Sequence, residues 1–395
     1  MKPRKILHLD LDAFFCAVEE QHDPSLRGVA FAVGGQPDQR GVVASCSYAA
    51  RRFGVRSALP MAQAVRLCPG LRIVSSHFDR YGQASSRVMA ILHDLTPFVE
   101  QISIDEAFLD VTLLPELAGV LARRLQAAIR DQLDLPCSLG VATNKLLAKI
   151  ATNRGKDSAP RGDYPNAIQI VPPGQEAAFL APLPVRELWG VGPKTAEQLA
   201  RLGIVTIGDL ARRPADEMAR RFGKTGAELA ERARGIDERP VEPESETKSV
   251  SRETTFTRDV RDGAALKRTL RTLSDEVGHR LRKEGLRGST IKIKLRWDDF
   301  TTLTRQTTLE QPTQHDSTIY DTAAALFEKH WPKGRPVRLI GVGVSGFEEA
   351  ETQMGLWDAG AQAEQTRLES ALDALKERFG DRIIRRGSDL LDSDS

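Results

Sequence analysis

Apolar residues first gather at 5–10, a strand that ends in the acids Asp10 and Asp12 and leads into a helical stretch at 14–21. Short apolar strands follow at 29–33, turned by Gly34-Gly35, and at 41–45. The second of these runs into a helical turn over 48–54 that glycine closes. A helix over 60–67 stops at Pro69-Gly70. Helical periodicity returns at 78–95 and 115–133, and between them 100–112 reads as strand, turn, strand. A strand at 138–142 precedes a helix at 143–152, whose spacing predicts Leu146, Leu147 and Ile150 inward and Lys145 and Lys149 outward. This order of strands and helices predicts an α+β sheet domain.

The pattern then changes. Residues 154–165 are rich in Gly, Pro and charge and mark a boundary. From 176 to 236 short helical stretches follow one another with no strand signal, which predicts a small all-α domain. A polar, Pro-containing linker ends at 247. Strand signals at 249–256, 289–297, 302–309 and 337–345, with helices at 262–284 and 317–330, predict a four-stranded sheet with two helices on one face. One more helix is expected at 363–379.

A chain of 395 residues exceeds a single core, in agreement with several domains. Hydrophobic residues at 41% and charged residues at 28% describe a soluble globular protein. The net charge of +2 conceals an asymmetry: 246–347 holds 19 Lys/Arg and 13 Asp/Glu, whereas 348–395 holds 6 and 12. A basic domain followed by an acidic tail fits a polyanion binder with a solvated extension. The four cysteines, Cys16, Cys46, Cys68 and Cys137, form no Cys-x-x-Cys pair, so neither a zinc site nor a disulfide framework is expected. That fits a cytoplasmic protein. No apolar run has the length of a signal peptide or a membrane span.

Candidate chemistry centres on Asp105 and Glu106, adjacent acids inside an apolar strand hairpin, and on Asp10, at the end of another apolar strand. Acids are costly to bury without compensation, so carboxylates converging from two neighbouring strands imply a cation. Oxygen donors favour Mg²⁺, which keeps water and binds substrate phosphates. The simpler reading is strand-end acids facing solvent. Tyr48 and Arg51 lie one helical turn apart and, with Ser45 and Lys156, are candidate triphosphate contacts; the alternative is an ordinary surface. Gly190-Val-Gly192-Pro193-Lys194 reads as a glycine hairpin between helices, able to bring backbone N–H groups to a DNA phosphate, or as a plain connector. Lys292, Lys294 and Arg296 alternate with apolar residues and so share one sheet face, suited to a nucleic-acid backbone or simply solvated. Gln353, Leu356 and Trp357, in the acidic tail, read as an apolar docking motif for a partner or as a segment packed back on its own domain.

Together these stretches resemble the Y-family DNA polymerases, specifically the DinB or DNA polymerase IV branch. The resemblance is carried by 8–15, 44–55, by Ser103-Ile-Asp-Glu-Ala-Phe-Leu-Asp110, by 139–151, 190–194 and 339–347, in the family's order. It implies a multidomain α+β right hand: palm at 1–10 and 75–165, small fingers at 11–74, an all-α helix–hairpin–helix thumb at 166–240, a linker at 241–247, a four-stranded α+β little finger at 248–347 and an acidic tail at 348–395. By resemblance, Asp10, Asp105, Glu106 and the Leu11 carbonyl hold two Mg²⁺, and Phe15 is a steric gate against a 2′-hydroxyl with Phe14 packed beside it. Ala44 and Ala58 form a low roof over the nascent base pair, and the tail motif binds the β sliding clamp. The family usually follows its triphosphate lysine with proline; here Asp157 follows Lys156.

The implied activity is low-fidelity, template-directed synthesis past lesions, from dNTPs on primer–template DNA, without a proofreading exonuclease, by a monomer. Two other classes remain: a DNA- and clamp-binding scaffold with little catalysis, and another phosphoryl-transfer enzyme on the same palm, such as a cyclase.

Overall fold

The computed structural model describes residues 3–160, 163–244, 246–347 and 359–379. The chain divides into two compact units, Met1–Ser245 and Glu246–Ser395.

The first unit runs β1 (Ile6–Leu11), α1 (Phe14–His22), β2 (Phe31–Gly34), β3 (Val43–Cys46), α2 (Tyr48–Arg51), α3 (Met61–Leu67), β4 (Arg72–Val74), α4 (Phe78–Leu95), β5 (Val99–Gln101), β6 (Glu106–Asp110), α5 (Ala118–Leu133), β7 (Cys137–Ala142), α6 (Lys145–Ser158) and β8 (Ile168–Ile170). Four helices follow: α7 (Glu176–Leu180), α8 (Pro193–Arg201), α9 (Ile207–Ala211) and α10 (Ala215–Ala233). A five-stranded sheet of order β5-β6-β1-β7-β8 carries β1 at its centre, antiparallel to both neighbours. Alternation along β1 sends Leu7, Leu9 and Leu11 into one core with α4 and α5, while Ile6 joins Leu146, Leu147 and Ile150 of α6 on the opposite face. A smaller sheet, β3-β2-β4, has its own core around Ala32, Val43, Cys46 and Met61.

Three expectations need correction. Lys145 and Lys149 do not face outward: the Lys145 side chain is only 5% exposed and paired with Glu100, and Lys149 is paired with Glu106. The face of α6 opposite its leucines rests against acids, so a charged stripe there is an inward stripe. The boundary at 154–165 is also displaced. Helix α6 continues to Ser158, and 168–170, too short to read as a strand, pairs in parallel with β7. The sheet's share of the chain thus reaches beyond the expected thumb start at 166. Finally, the segment expected as linker is partly clamped. Val241 is 7% exposed, and the Glu242 N–H donates to Glu100. Just before it, Asp237 accepts from the Leu146 N–H at the start of α6 and from the Arg239 guanidinium.

The second unit runs β9 (Ser249–Val260), α11 (Gly263–Lys283), β10 (Gly288–Trp297), β11 (Thr302–Thr313), α12 (Asp316–His330), β12 (Val337–Phe347) and α13 (Ala359–Phe379). Its sheet, β11-β10-β12-β9, is antiparallel throughout, and α11 and α12 cover one face with Leu266, Leu270, Val277, Ile319 and Phe327. Helix α13 attaches through Arg282, which meets Asp316, Glu369 and Asp373.

Candidate active site

The antiparallel register of β1 and β6 sets Asp10 opposite Glu106. Just ahead of β6 the backbone folds into a tight turn. The Ile102 and Ser103 N–H groups both donate to the Glu106 carbonyl, and the Asp105 carbonyl accepts from the Leu11 N–H at 3.0 Å. Two acids adjacent in sequence are thereby fastened beside a third that lies far away along the chain.

Each acid has its own partner. Ser103 Oγ donates to Asp105 Oδ1 at 2.6 Å. Lys149 Nζ lies 2.9 Å from both carboxylate oxygens of Glu106. Lys156 Nζ reaches Asp10 at 2.6 Å and Asp12 at 3.0 Å. Asp12 is fully buried and also accepts from Ser138 Oγ and the Asn166 N–H. Burial pushes the Asp10 carboxyl up to about 7; Lys156 opposes the shift, and Glu106 and Asp105 add to it. Four carboxylates face two ammonium groups here, an excess of negative charge that a hard divalent cation suits. Among the described residues no three His, Cys, Asp or Glu side chains stand arranged to enclose an ion. The donors fit such an ion in kind, with Ser103, Lys149 and Lys156 as their present partners.

Asp10, Leu11 and Asp105 line a cavity of about 260 Å³. Its other walls bring in Phe14, Phe15, Ala44, Ser45, Arg51 and Lys156. Ala13, in the left-handed region at φ 45°, turns the chain sharply from β1 into α1, a conformation that costs about 1–2 kcal/mol in a non-glycine residue. After that turn Phe14 is 2% exposed in the core. Phe15 stacks on Tyr81 with ring centroids 4.2 Å apart and planes at 12°. The Tyr81 hydroxyl donates to buried Glu19, which also pairs with His77. The Phe15 ring is therefore backed by a hydrogen-bonded wall.

Tyr48 and Arg51 share a helix face as their spacing predicts, the guanidinium 4.6 Å from the ring centre. Asp157 does not line this cavity; it is 70% exposed and pairs with Arg154 at 3.9 Å. Ala44 is exposed and lines the cavity; Ala58, at φ 67°, does not, and Ser57 takes that wall. A second cleft of about 880 Å³ shares Arg51 and Lys156 and continues to Val191 and Pro193 of the glycine hairpin. There Gly190 has φ 104°, Gly192 caps α8 and Pro193 opens it, while the element before the turn is a single 3₁₀ turn, Val185–Glu187. Lys194 is exposed.

In the second unit Ile291, Ile293 and Leu295 are fully buried, and Lys292, Lys294 and Arg296 occupy the open face. Lys294 pairs with Glu253 at 2.7 Å. Gln353, Leu356 and Trp357 lie outside the described residues.

Sequence reasoning missed Ser103 and Ser138, and named Asp12 and Lys149 without giving them a place in the site. Asp12 was within reach, two residues from Asp10 and just past the end of β1. Lys149 was within reach as well, since it lies seven residues, two helical turns, before Lys156.

Comparison with known proteins matches 9–153 to the impB/mucB/samB family, 247–356 to that family's C-terminal domain and 173–204 to its HHH motif. A DNA polymerase IV of Dehalococcoides mccartyi (strain CBDB1) is 40% identical over 391 residues, 98% of each chain. One from Streptomyces coelicolor is 44% identical over 368 residues, 91% of this chain and 74% of that protein. Among solved structures, a Y-family DNA polymerase chimera of Dbh and Dpo4 superposes with a TM-score of 0.77 at 27% identity, covering 87% of this chain and 99% of that one. An insertion ternary complex of Dbh DNA polymerase gives 0.62 at 27% identity with the same coverage. The chain belongs to the impB/mucB/samB family and is a Y-family DNA-directed DNA polymerase of the DNA polymerase IV branch.

Proposed function

We propose that this polymerase adds deoxynucleotides to a primer 3′-hydroxyl by two-metal-ion phosphoryl transfer with low fidelity, serves translesion synthesis and lacks proofreading. The observation that carries this reading is the register of Asp10 opposite Glu106, beside Asp105, next to a cavity that also presents Phe15, Arg51 and Lys156. Asp10, Asp105, Glu106 and the Leu11 carbonyl would hold two Mg²⁺. Bound there, the ions would activate the primer hydroxyl and offset the charge gathering on the departing pyrophosphate.

The side chains supply the positioning. Arg51 and Lys156, with Ser45 and Tyr48, bind the triphosphate through charge-assisted hydrogen bonds. Phe15, braced by Tyr81, closes the space a 2′-hydroxyl would need. A Phe15→Ala enzyme is expected to lose about 100-fold of its preference for deoxynucleotides over ribonucleotides, measured as a ratio of kcat/KM values. Ala44 is small and exposed at the cavity wall, so the roof over the new pair tests its geometry weakly, which supports low fidelity; Ala58 lies outside that wall.

Gly190, Gly192 and Lys194 would hold the DNA backbone from the hairpin, and Lys292, Lys294 and Arg296 from the open sheet face. Replacing these last three by alanine should weaken binding equally on all sequences. It should also reduce the slope of log K against log salt by up to about 3; an unchanged slope would show that the face does not meet phosphate. Gln353, Leu356 and Trp357 would tether the polymerase to the β sliding clamp and so raise its effective concentration at the primer. A cytoplasmic monomer completes the proposal. The four free, buried cysteines support the reducing location; among the described residues no helix is long and apolar enough to cross a membrane.

Primer extension with dNTPs and Mg²⁺ tests the reading. Wild type should extend a primed template in short, distributive runs, and Asp105→Ala/Glu106→Ala should not. If both bind primed DNA and neither extends it, the chain acts as a DNA-binding scaffold.

A further inference from the structure

We propose that Lys149 is a built-in competitor for the cation at Glu106, holding the carboxylate in the empty enzyme and setting how tightly the site takes a metal. The inference rests on the metal reading of Asp10, Asp105 and Glu106. Its basis is a difference among the partners of the three acids. Asp105 gives only one oxygen to Ser103, and Asp10 only one to Lys156. Glu106 gives both oxygens to one ammonium group, each at 2.9 Å. Glu106 lies 23% exposed and Lys149 19% exposed, so water screens the pair weakly. A carboxylate engaged through both oxygens by a half-buried cation offers little to a metal until that cation moves.

Lys149 already has a second neighbour besides Glu106: the Trp189 ring centre lies 5.9 Å from its Nζ, within reach of a cation–π contact, and the Arg239 guanidinium lies 4.6 Å from the same ring centre. Helix α6 itself is held in place by Lys145 on Glu100 and by the Leu146 N–H on Asp237, so only the side chain of Lys149 has to turn. Lys156 has a different task, because buried Asp12 keeps it in position whether or not Asp10 turns toward a metal. Of the two lysines, Lys149 is thus the exchangeable one. It is a positioning residue, acting on the reaction through Glu106.

The test is Mn²⁺ binding to the full chain without DNA or nucleotide, followed by the electron paramagnetic resonance of free Mn²⁺. Lys149→Met and Lys149→Gln should each bind Mn²⁺ about tenfold more tightly than wild type, and Mn²⁺ should raise their melting temperature by more than it raises that of wild type. Two variants of different polarity guard against a folding defect in one, and circular dichroism identifies such a defect. The gain should vanish when Asp105→Ala/Glu106→Ala is added. Wild-type or weaker affinity in both folded variants overturns the competitor role while leaving the metal reading intact. No Mn²⁺ bound by wild type or by either variant overturns the metal reading itself, and this inference with it.

Discussion

An Asp10→Asn enzyme is expected to extend a primed template about 10³-fold more slowly than wild type while binding the same DNA with unchanged affinity. Asparagine keeps the shape of the side chain and an oxygen that can accept from Lys156, so β1 and its neighbours have no reason to rearrange. The charge is what is lost. A preorganised charge aimed at the reacting centre is worth about 10²–10³ in rate, and Asp10 is the acid that β1 sets opposite Glu106. Single-turnover extension measures the effect, with circular dichroism and DNA binding as controls. A variant within tenfold of wild type would remove Asp10 from the chemistry.

Asp12→Ala should fail in a different way, by unfolding. Asp12 is fully buried and accepts from Ser138 Oγ, the Asn166 N–H and Lys156 Nζ, and so ties β7, the approach to β8 and α6 together. Removing one partner of a buried ion pair costs about 3–5 kcal/mol, because the remaining charge is left uncompensated. In urea the midpoint for the unit at 1–245 should fall at constant slope. The unit at 246–395 serves as an internal reference within the same chain. Asp12→Asn, which retains an acceptor, should fall less. If the two Asp12 variants unfold together with wild type, Asp12 contributes nothing beyond filling space.

The two acid-bearing strands were legible because acids at the end of an apolar strand stand out, and β1 and β6 do pair, with Asp10 opposite Glu106. The little-finger elements were legible for a similar reason. Period-two and period-3.6 patterns alternate cleanly there, and each predicted strand overlaps an observed one. Helix α6 was not. Its leucines are buried, but so is Lys145, with Lys149 and Lys156 mostly covered. Amphipathic reasoning assumes that charge means water, whereas here it means three acids on the sheet below and Asp12 just past the end of β1. Strand β8 escaped because three residues carry no periodicity and its pairing comes from β7. Ser103 and Ser138 escaped because a serine that serves an acid looks like any other serine until the acid's position is known.

The central register also bears on the order in which the enzyme comes into being. Asp10 emerges during synthesis long before Glu106, which is made on the order of ten seconds later at ordinary elongation rates. Lys149 and Lys156 arrive only after both. The acids become neighbours solely through pairing between distant strands, and the cations that steady them belong to a helix completed at Ser158. A nascent chain cut short before α6 therefore carries Asp10 and Glu106 without the lysines that pair with them.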